Sequence, residues 1–123
     1  MKINEIKLFE NNNNNNGIYK YLSCKIKSLK NKKEKFKTCD VIITEINLYF
    51  LDYNSNSKKF ELKFSVDIKN LRKLAFSKNT SNCLLLYDNK ELFQGIEIKT
   101  ESHISLMTLL DDLFHSYPEH LKN

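Results

Sequence analysis

The sequence has almost no arginine, no tryptophan and very little glycine or proline. Of its 20 basic residues only Arg72 is arginine, and there are two glycines and one proline. With Gly17 and Gly95 as its glycines, the chain has no glycine-rich phosphate loop, and no GxGxxG, P-loop, HExxH or GxSxG motif occurs. Nothing in the spacing orders Ser, His and Asp as a triad. The sequence therefore predicts a protein that is not an enzyme and that uses no cofactor.

Long hydrophobic runs are absent as well. No apolar stretch approaches the roughly 18 residues that a membrane span needs, and the first residues lack the apolar core of a signal peptide. The three cysteines form no CxxC and fit small core residues in a reducing compartment, and the histidines lack the spacing of a helical metal site. We therefore expect a cytoplasmic protein without a metal site. The three cysteines are Cys24, Cys39 and Cys83, and the three histidines are His103, His115 and His120.

The positive charge is concentrated at the start of the chain. The formal net charge is +5, but residues 1–39 carry ten Lys against three acids, whereas residues 100–123 carry one Lys against four acids. This polarity predicts an anionic partner for the first third. Alternatively, the lysines and the 16 asparagines reflect drift in an AT-rich coding sequence. Because arginine is the usual reader of phosphate and guanine, its scarcity weakens the prediction of nucleic-acid binding.

The chain divides into an arm, one domain and a short tail. Residues 1–16 form an arm that ends in the polar tract Asn11–Asn16, residues 17–118 form the domain, and residues 119–123 form the tail. Within the domain, polar and apolar residues alternate with period two between turns, which predicts strands. In the fourth strand this alternation predicts that Phe60, Leu62, Phe64 and Val66 face inward. The predicted strands cover about 18–30, 36–44, 48–53, 59–66, 71–77, 83–87 and 91–99.

The last segment of the domain changes to the helical period. Thr100 or Ser102 is suited to begin the helix and Pro118 to end it. One apolar stripe is expected to face the core; it contains Ile104, Met107, Leu110, Leu113, Phe114 and Tyr117. The order of elements predicts a mainly β, α+β fold, a seven-stranded antiparallel bent barrel or sandwich capped by a C-terminal amphipathic helix.

Three segments resemble the pleckstrin-homology superfold. The segment 41–52, VIITEINLYFLD, resembles a hairpin that is common there, with a buried strand, a polar turn and an aromatic-rich return strand. The segment 64–86 and the segment 92–101, which leads to Leu109 and Leu110, are similar to the tail-homology domain of class I myosins. The usual helix Trp of pleckstrin-homology domains is missing, as it is in the myosin type. The resemblance implies the fold and does not fix a function.

The resemblance also implies a site for anionic lipid headgroups. In phosphoinositide-binding members, the first two strands supply a Lys followed by a Lys/Arg-x-Arg step. Because residues two apart on a strand share a face, Lys35 and Lys37 are expected to face one phosphate group. The alternative is a solvated lysine loop that protects a sheet edge. The candidate lysines are Lys27, Lys30, Lys32, Lys33, Lys35 and Lys37.

Three functions remain open from the sequence. The first is a non-catalytic adaptor, peripheral to phosphoinositide membrane or the cytoskeleton, whose basic hairpin meets anionic lipid or an acidic protein surface. The second is a small protein-interaction subunit of a larger cytoskeletal or trafficking assembly, without lipid binding. The third and weakest is nucleic-acid binding, in which exposed strand tyrosines stack bases; the candidates are Tyr19, Tyr21, Tyr49 and Tyr53.

Overall fold

A computed structural model describes residues 19–31, 33–89 and 92–121. Seven strands and a C-terminal helix follow in the predicted order. They are β1 (Lys20–Ser28), β2 (Lys37–Ile43), β3 (Asn47–Asn54), β4 (Lys59–Asp67), β5 (Leu71–Phe76), β6 (Cys83–Asn89), β7 (Leu92–Lys99) and α1 (His103–His115), with 3₁₀ turns at Ile68–Asn70 and Glu119–Leu121. Residues 1–18, Lys32, residues 90–91 and residues 122–123 lie outside the described residues. They include the predicted arm with its Asn tract, the first residue of the first and of the seventh predicted strand, and the end of the predicted tail.

The strands form one antiparallel sheet in the order β4-β3-β2-β1-β7-β6-β5. The predicted fold is confirmed, and the sheet bends without closing into a barrel, since β4 and β5 remain its two edges. Antiparallel order places the β1–β2, β3–β4 and β6–β7 turns at one end of the sheet, which we call the mouth, and the start of α1 at the other. No helix in the described part of the chain is long and apolar enough to cross a membrane.

The main core lies between the inner face of the sheet and α1. Alternation along β1 directs Leu22, Cys24 and Ile26 inward, and the helix adds Leu106 and Leu110, both fully buried. Full burial of such a side chain contributes about 1.5–3 kcal/mol. All three cysteines are free and buried, as the sequence predicts. Burial raises the pKa of Cys24 to about 12, so its thiol is protonated at neutral pH.

The predicted stripe on α1 is wrong at two of its residues. Ile104 is 65% exposed and Phe114 is 37% exposed, whereas Leu106, which the stripe omits, is fully buried. The buried face is centred on Leu106, Leu110 and Leu113, and at 100° per residue Ile104 lies about 120° around the helix from Leu110. Ser102 is the N-cap residue, and its backbone N–H donates to Thr100 Oγ1 at 3.2 Å.

The inward alternation predicted for β4 is also wrong at its first half. Phe64 pairs with Phe50, but Leu62 pairs with Leu51, so Lys63 is an extra residue in a β-bulge. The bulge changes which face the preceding residues occupy. Val66 and Phe64 pack on the core, while Leu62 is 56% exposed and Phe60 instead contacts tyrosine rings on the outer face.

The outer face of the sheet has a buried layer of its own. Ile42 and Leu51 are fully buried but belong to no part of the main core cluster. Beside them, the Asp40 carboxylate is 4% exposed and accepts hydrogen bonds from the Tyr21 hydroxyl at 2.6 Å and the Ser23 hydroxyl at 2.8 Å. A strand that is buried on both faces has a continuous run of apolar residues, which explains the sequence Val-Ile-Ile in β2.

Candidate functional site

A cleft of about 420 Å³ opens at the mouth of the sheet. We call it the mouth cleft. It is lined by residues of the β1–β2 turn, of the strand ends next to the β1–β2 and β6–β7 turns, and of the middle of β4. Its polar and charged lining consists of Lys27, Ser28, Glu34, Lys37, Lys63, Tyr87, Asn89 and Gln94.

Three lysines from three strands line this cleft. The Lys27 ammonium lies 3.9 Å from Glu97 and 5.0 Å from the centre of the Phe36 ring. The Lys63 ammonium lies 3.7 Å from Asp52. Such surface pairs contribute about 0–1 kcal/mol, so a multiply charged anion can displace them.

Backbone geometry explains why Lys37 and Lys63 reach the mouth cleft. Lys37 pairs with Ile26 and shares the inward parity of Cys39 at the point where the core ends and solvent begins. Lys63 is the extra residue of the bulge in β4. Lys37 is predicted from the sequence and Lys63 is not, because alternation by itself does not reveal a bulge.

The other predicted lysines that the structure describes do not line the cleft. Lys30, Lys33 and Lys35 are exposed outside its lining, and Lys32 is outside the described residues. Lys35 lies two residues before β2, which begins at Lys37. Strand alternation, from which the two side chains are expected to share a face, therefore does not extend to Lys35. The structure thus brings together Lys27 and Lys37 from the predicted set.

The remaining lining gives the cleft a mixed polar character. The Glu34 carboxylate accepts a hydrogen bond from the Ser28 backbone N–H at 2.5 Å, which anchors the β1–β2 turn. Burial raises the pKa of Tyr87, so its phenol stays protonated at neutral pH and serves as a neutral donor. Ammonium, hydroxyl and amide groups around one cleft are suited to hold an anion.

A second feature lies between the edge strand β5 and α1. A groove of about 310 Å³ is lined by Leu74, Phe76, Ile104, Met107, Thr108 and Asp111. Two of these apolar side chains are largely exposed to solvent: Phe76 is 46% exposed and Ile104 is 65% exposed. An apolar groove beside an edge strand is the geometry to which an extended peptide can add.

Comparison with solved structures identifies the fold. The DH/PH fragment of p115-RhoGEF (R399E mutant) superposes with a TM-score of 0.70 at 10% identity, covering 84% of this chain and 32% of that one. PDZ-RhoGEF DH/PH, solved in complex with GTPγS-activated RhoA, gives 0.69 at 15% identity, covering 84% and 31%. Vav1, in a structure with PH and C1 domains, gives 0.64 at 21% identity, covering 83% and 27%.

These matches confirm the pleckstrin-homology-like fold that the sequence predicts. The chain spans about a third or less of each matched chain. No protein-family model and no curated protein matches the sequence. The closer resemblance to the tail-homology domain of class I myosins stays a prediction.

Proposed function

We propose that this pleckstrin-homology-like module is a non-catalytic adaptor that binds phosphoinositide headgroups in the mouth cleft. The observation that carries the proposal is that Lys27, Lys37 and Lys63 line one cleft of about 420 Å³ together with neutral donors and a single carboxylate, which the Ser28 backbone N–H already engages. A lysine near an anionic membrane surface contributes about 1 kcal/mol. Since lysine acts as a flexible point charge, the cleft favours charge density over one fixed geometry.

The β1–β2 turn adds a second contribution to membrane binding. Lys30, Lys33 and Lys35 are exposed at the same end of the sheet as the mouth cleft. They supply a diffuse positive field that brings an anionic surface near the cleft, and salt screens this field within about 10 Å at 0.1 M ionic strength. The cleft lysines then select the headgroup, while the turn lysines increase association with any anionic lipid.

Vesicle binding with matched charge variants tests this proposal. Lys37→Gln/Lys63→Gln removes two cleft charges and is expected to weaken binding to vesicles with phosphatidylinositol bisphosphate by about 30-fold, from about 1 kcal/mol per lysine. Lys73→Gln/Lys78→Gln removes the same net charge from exposed residues that lie outside the cleft and away from the mouth, and it is expected to have a much smaller effect. Equal losses in the two variants would contradict headgroup binding in the cleft.

The groove between β5 and α1 supports a second candidate function, docking of a protein partner. The observation in its favour is the exposure of Phe76 and Ile104 beside an edge strand. Among the matched structures, the PDZ-RhoGEF fragment is in complex with RhoA, so a protein of this fold occurs in a protein assembly. On this proposal the chain is a subunit of a larger complex.

Cross-linking with site variants distinguishes the two candidates. A partner at fixed stoichiometry that is lost in Ile104→Asp but retained in Lys37→Gln/Lys63→Gln would favour the groove. Retention of that partner in Ile104→Asp would exclude the groove as its docking site. The vesicle assay on Ile104→Asp serves as the control for folding, because this residue lies outside the mouth cleft.

A further inference from the structure

The outer face of β1–β4 is apolar and aromatic over its centre. Polar residues are usual on the solvated face of an antiparallel sheet, but here the strand register brings aliphatic and aromatic side chains together. The Phe60 ring lies 5.1 Å from the ring of Tyr53 and 6.3 Å from that of Tyr21, centre to centre. We call this surface the aromatic face; it consists of Tyr21, Ile42, Tyr49, Leu51, Tyr53, Phe60 and Leu62.

The two aliphatic side chains at the centre of this face are shielded completely from water. Ile42 and Leu51 are 0% exposed, although they point away from the main core. Side chains on a strand stand roughly perpendicular to the sheet, so neighbours on the same face cover each other's flanks better than their outer ends. Since α1 packs on the inner face, full burial indicates that another segment of polypeptide lies across the aromatic face.

The chemistry of this face calls for an apolar cover. The Asp40 carboxylate beside Leu51 is 4% exposed, and it accepts hydrogen bonds from the hydroxyls of Tyr21 and Ser23. Its charge therefore does not face outward. The members of the face are aliphatic or aromatic, so a cover gains most by burying aliphatic or aromatic side chains against them.

The first ten residues of the chain have the composition that such a cover needs. Their sequence, MKINEIKLFE, carries Ile3, Ile6 and Phe9 at roughly helical spacing, together with Leu8. Two lysines and two glutamates balance each other in this segment. A helix this short is not stable alone in water, so its apolar side chains need a surface on which to be buried.

The point of attachment brings the aromatic face within reach of this segment. The Tyr19 backbone N–H donates to the Ile43 carbonyl at 2.8 Å, so the chain joins the sheet beside the outer face of β2. The eight connecting residues, 11–18, span at most about 26–29 Å, and β3 lies two strands from β1, about 10 Å away. The other residues outside the described part, Lys32, 90–91 and 122–123, are too few to cover two strands.

We infer that residues 1–10 dock on the aromatic face and cover Ile42 and Leu51. A short tether gives an effective concentration on the order of 1 mM, which favours the chain's own arm over a second copy at micromolar concentration. Neither the mouth cleft nor the groove between β5 and α1 is lined by a residue of the aromatic face. The inference is therefore independent of both proposed functions, and the arm controls access to a third surface.

A spin label on the arm tests where the arm docks. Asn4→Cys carries a nitroxide in the full-length protein, and the three native cysteines are buried and react slowly. Docking on the aromatic face is expected to broaden the backbone amide signals of β2 and β3 much more than those of α1, which lies across the sheet. Isotope-labelled protein without nitroxide, mixed with unlabelled protein that carries it, is expected to show no broadening.

Two pairs of aspartate substitutions separate apolar docking from charge. Ile6→Asp/Phe9→Asp is expected to lower the docking equilibrium constant by about 100-fold, about tenfold for each apolar side chain. The broadening of β2 and β3 is then lost, and the Ile42 methyl groups become accessible to a soluble paramagnetic probe. Asn12→Asp/Asn14→Asp adds the same charge to the connecting residues and is expected to retain both the broadening and the protection.

Several results would overturn the inference. Absent broadening, or broadening confined to α1 or β5–β7, would exclude the aromatic face, and broadening in the mixture would assign that face to a second copy. If the Ile42 methyl groups stay protected in Ile6→Asp/Phe9→Asp, the side chains of the face bury one another without a cover. Equal losses in the two substitution pairs would contradict apolar docking. Near-ultraviolet circular dichroism checks that each variant keeps the folded domain.

Discussion

Truncation of one helix residue tests where the core face of α1 lies. Leu106 is fully buried and Ile104, two residues earlier, is 65% exposed. Leu106→Ala removes buried carbon atoms that contribute about 2 kcal/mol by transfer, and the cavity left in the core raises the cost to about 3–5 kcal/mol. Ile104→Ala is the matched control, and its effect is expected to stay within about 0.5 kcal/mol because the side chain is mostly in water.

Urea unfolding followed by circular dichroism measures both variants. With a total stability of about 0.05–0.15 kcal/mol per residue, the loss in Leu106→Ala is a large fraction of the whole. Its Tm is expected to fall by at least about 10 °C. If Ile104→Ala proves as destabilising as Leu106→Ala, the apolar stripe expected from the sequence is correct and the helix orientation described here is wrong.

Three further predictions concern the buried polar layer, the thiols and the mouth. Asp40→Ala removes the acceptor of the Tyr21 hydroxyl and is expected to cost about 1–3 kcal/mol in urea unfolding, with Asp40→Asn retaining part of that stability. Burial raises the pKa of Cys24 to about 12 and of Cys83 to about 11, from 9.0. The stability linked to these thiols is therefore complete below pH 9 and lost as pH rises through 11–12, and alkaline titration of Tm should show this loss, flattened in Cys83→Ala. At pH 8, their reaction with Ellman's reagent should be about 100-fold or more slower than in urea, and fast labelling would refute their burial. Gly95→Ala places a methyl group 2.8 Å from two leucine side chains and should cost about 1–3 kcal/mol in the same assay; an unchanged stability would show that those side chains adjust freely.

The sequence was sufficient to predict the order of the strands and the helix. It was not sufficient to predict which residues of each element face the core. Period-two alternation gave every strand because each buries one side of the sheet. The bulge at Lys63 could not be read in this way, since one extra residue reverses the facing of Leu62 without changing the composition. The buried outer layer around Ile42 likewise depends on both neighbouring strands and not on β2 alone.

The same reasoning separates the parts of the candidate site that were predictable. Lys37 was predicted because the resemblance to phosphoinositide-binding members implies a basic Lys-x-Lys step at the second strand. The pairing of Lys27 with Glu97 joins residues 70 positions apart, and only the register of β1 against β7 reveals it. Local patterns carry no information about such a distant partner.

The junction of β1 with β7 has a mechanical consequence. Among the described residues it is the one strand pairing between the four strands before Ile68 and the three strands after Asn70, and its register covers Lys25–Ser28. The mouth cleft has lining residues on each side of it. Because a ligand that bridges two elements stabilises the state in which they are joined, occupancy of the mouth cleft should slow amide hydrogen exchange along this junction. Binding of an anion would then make the two halves of the sheet open and unfold more cooperatively.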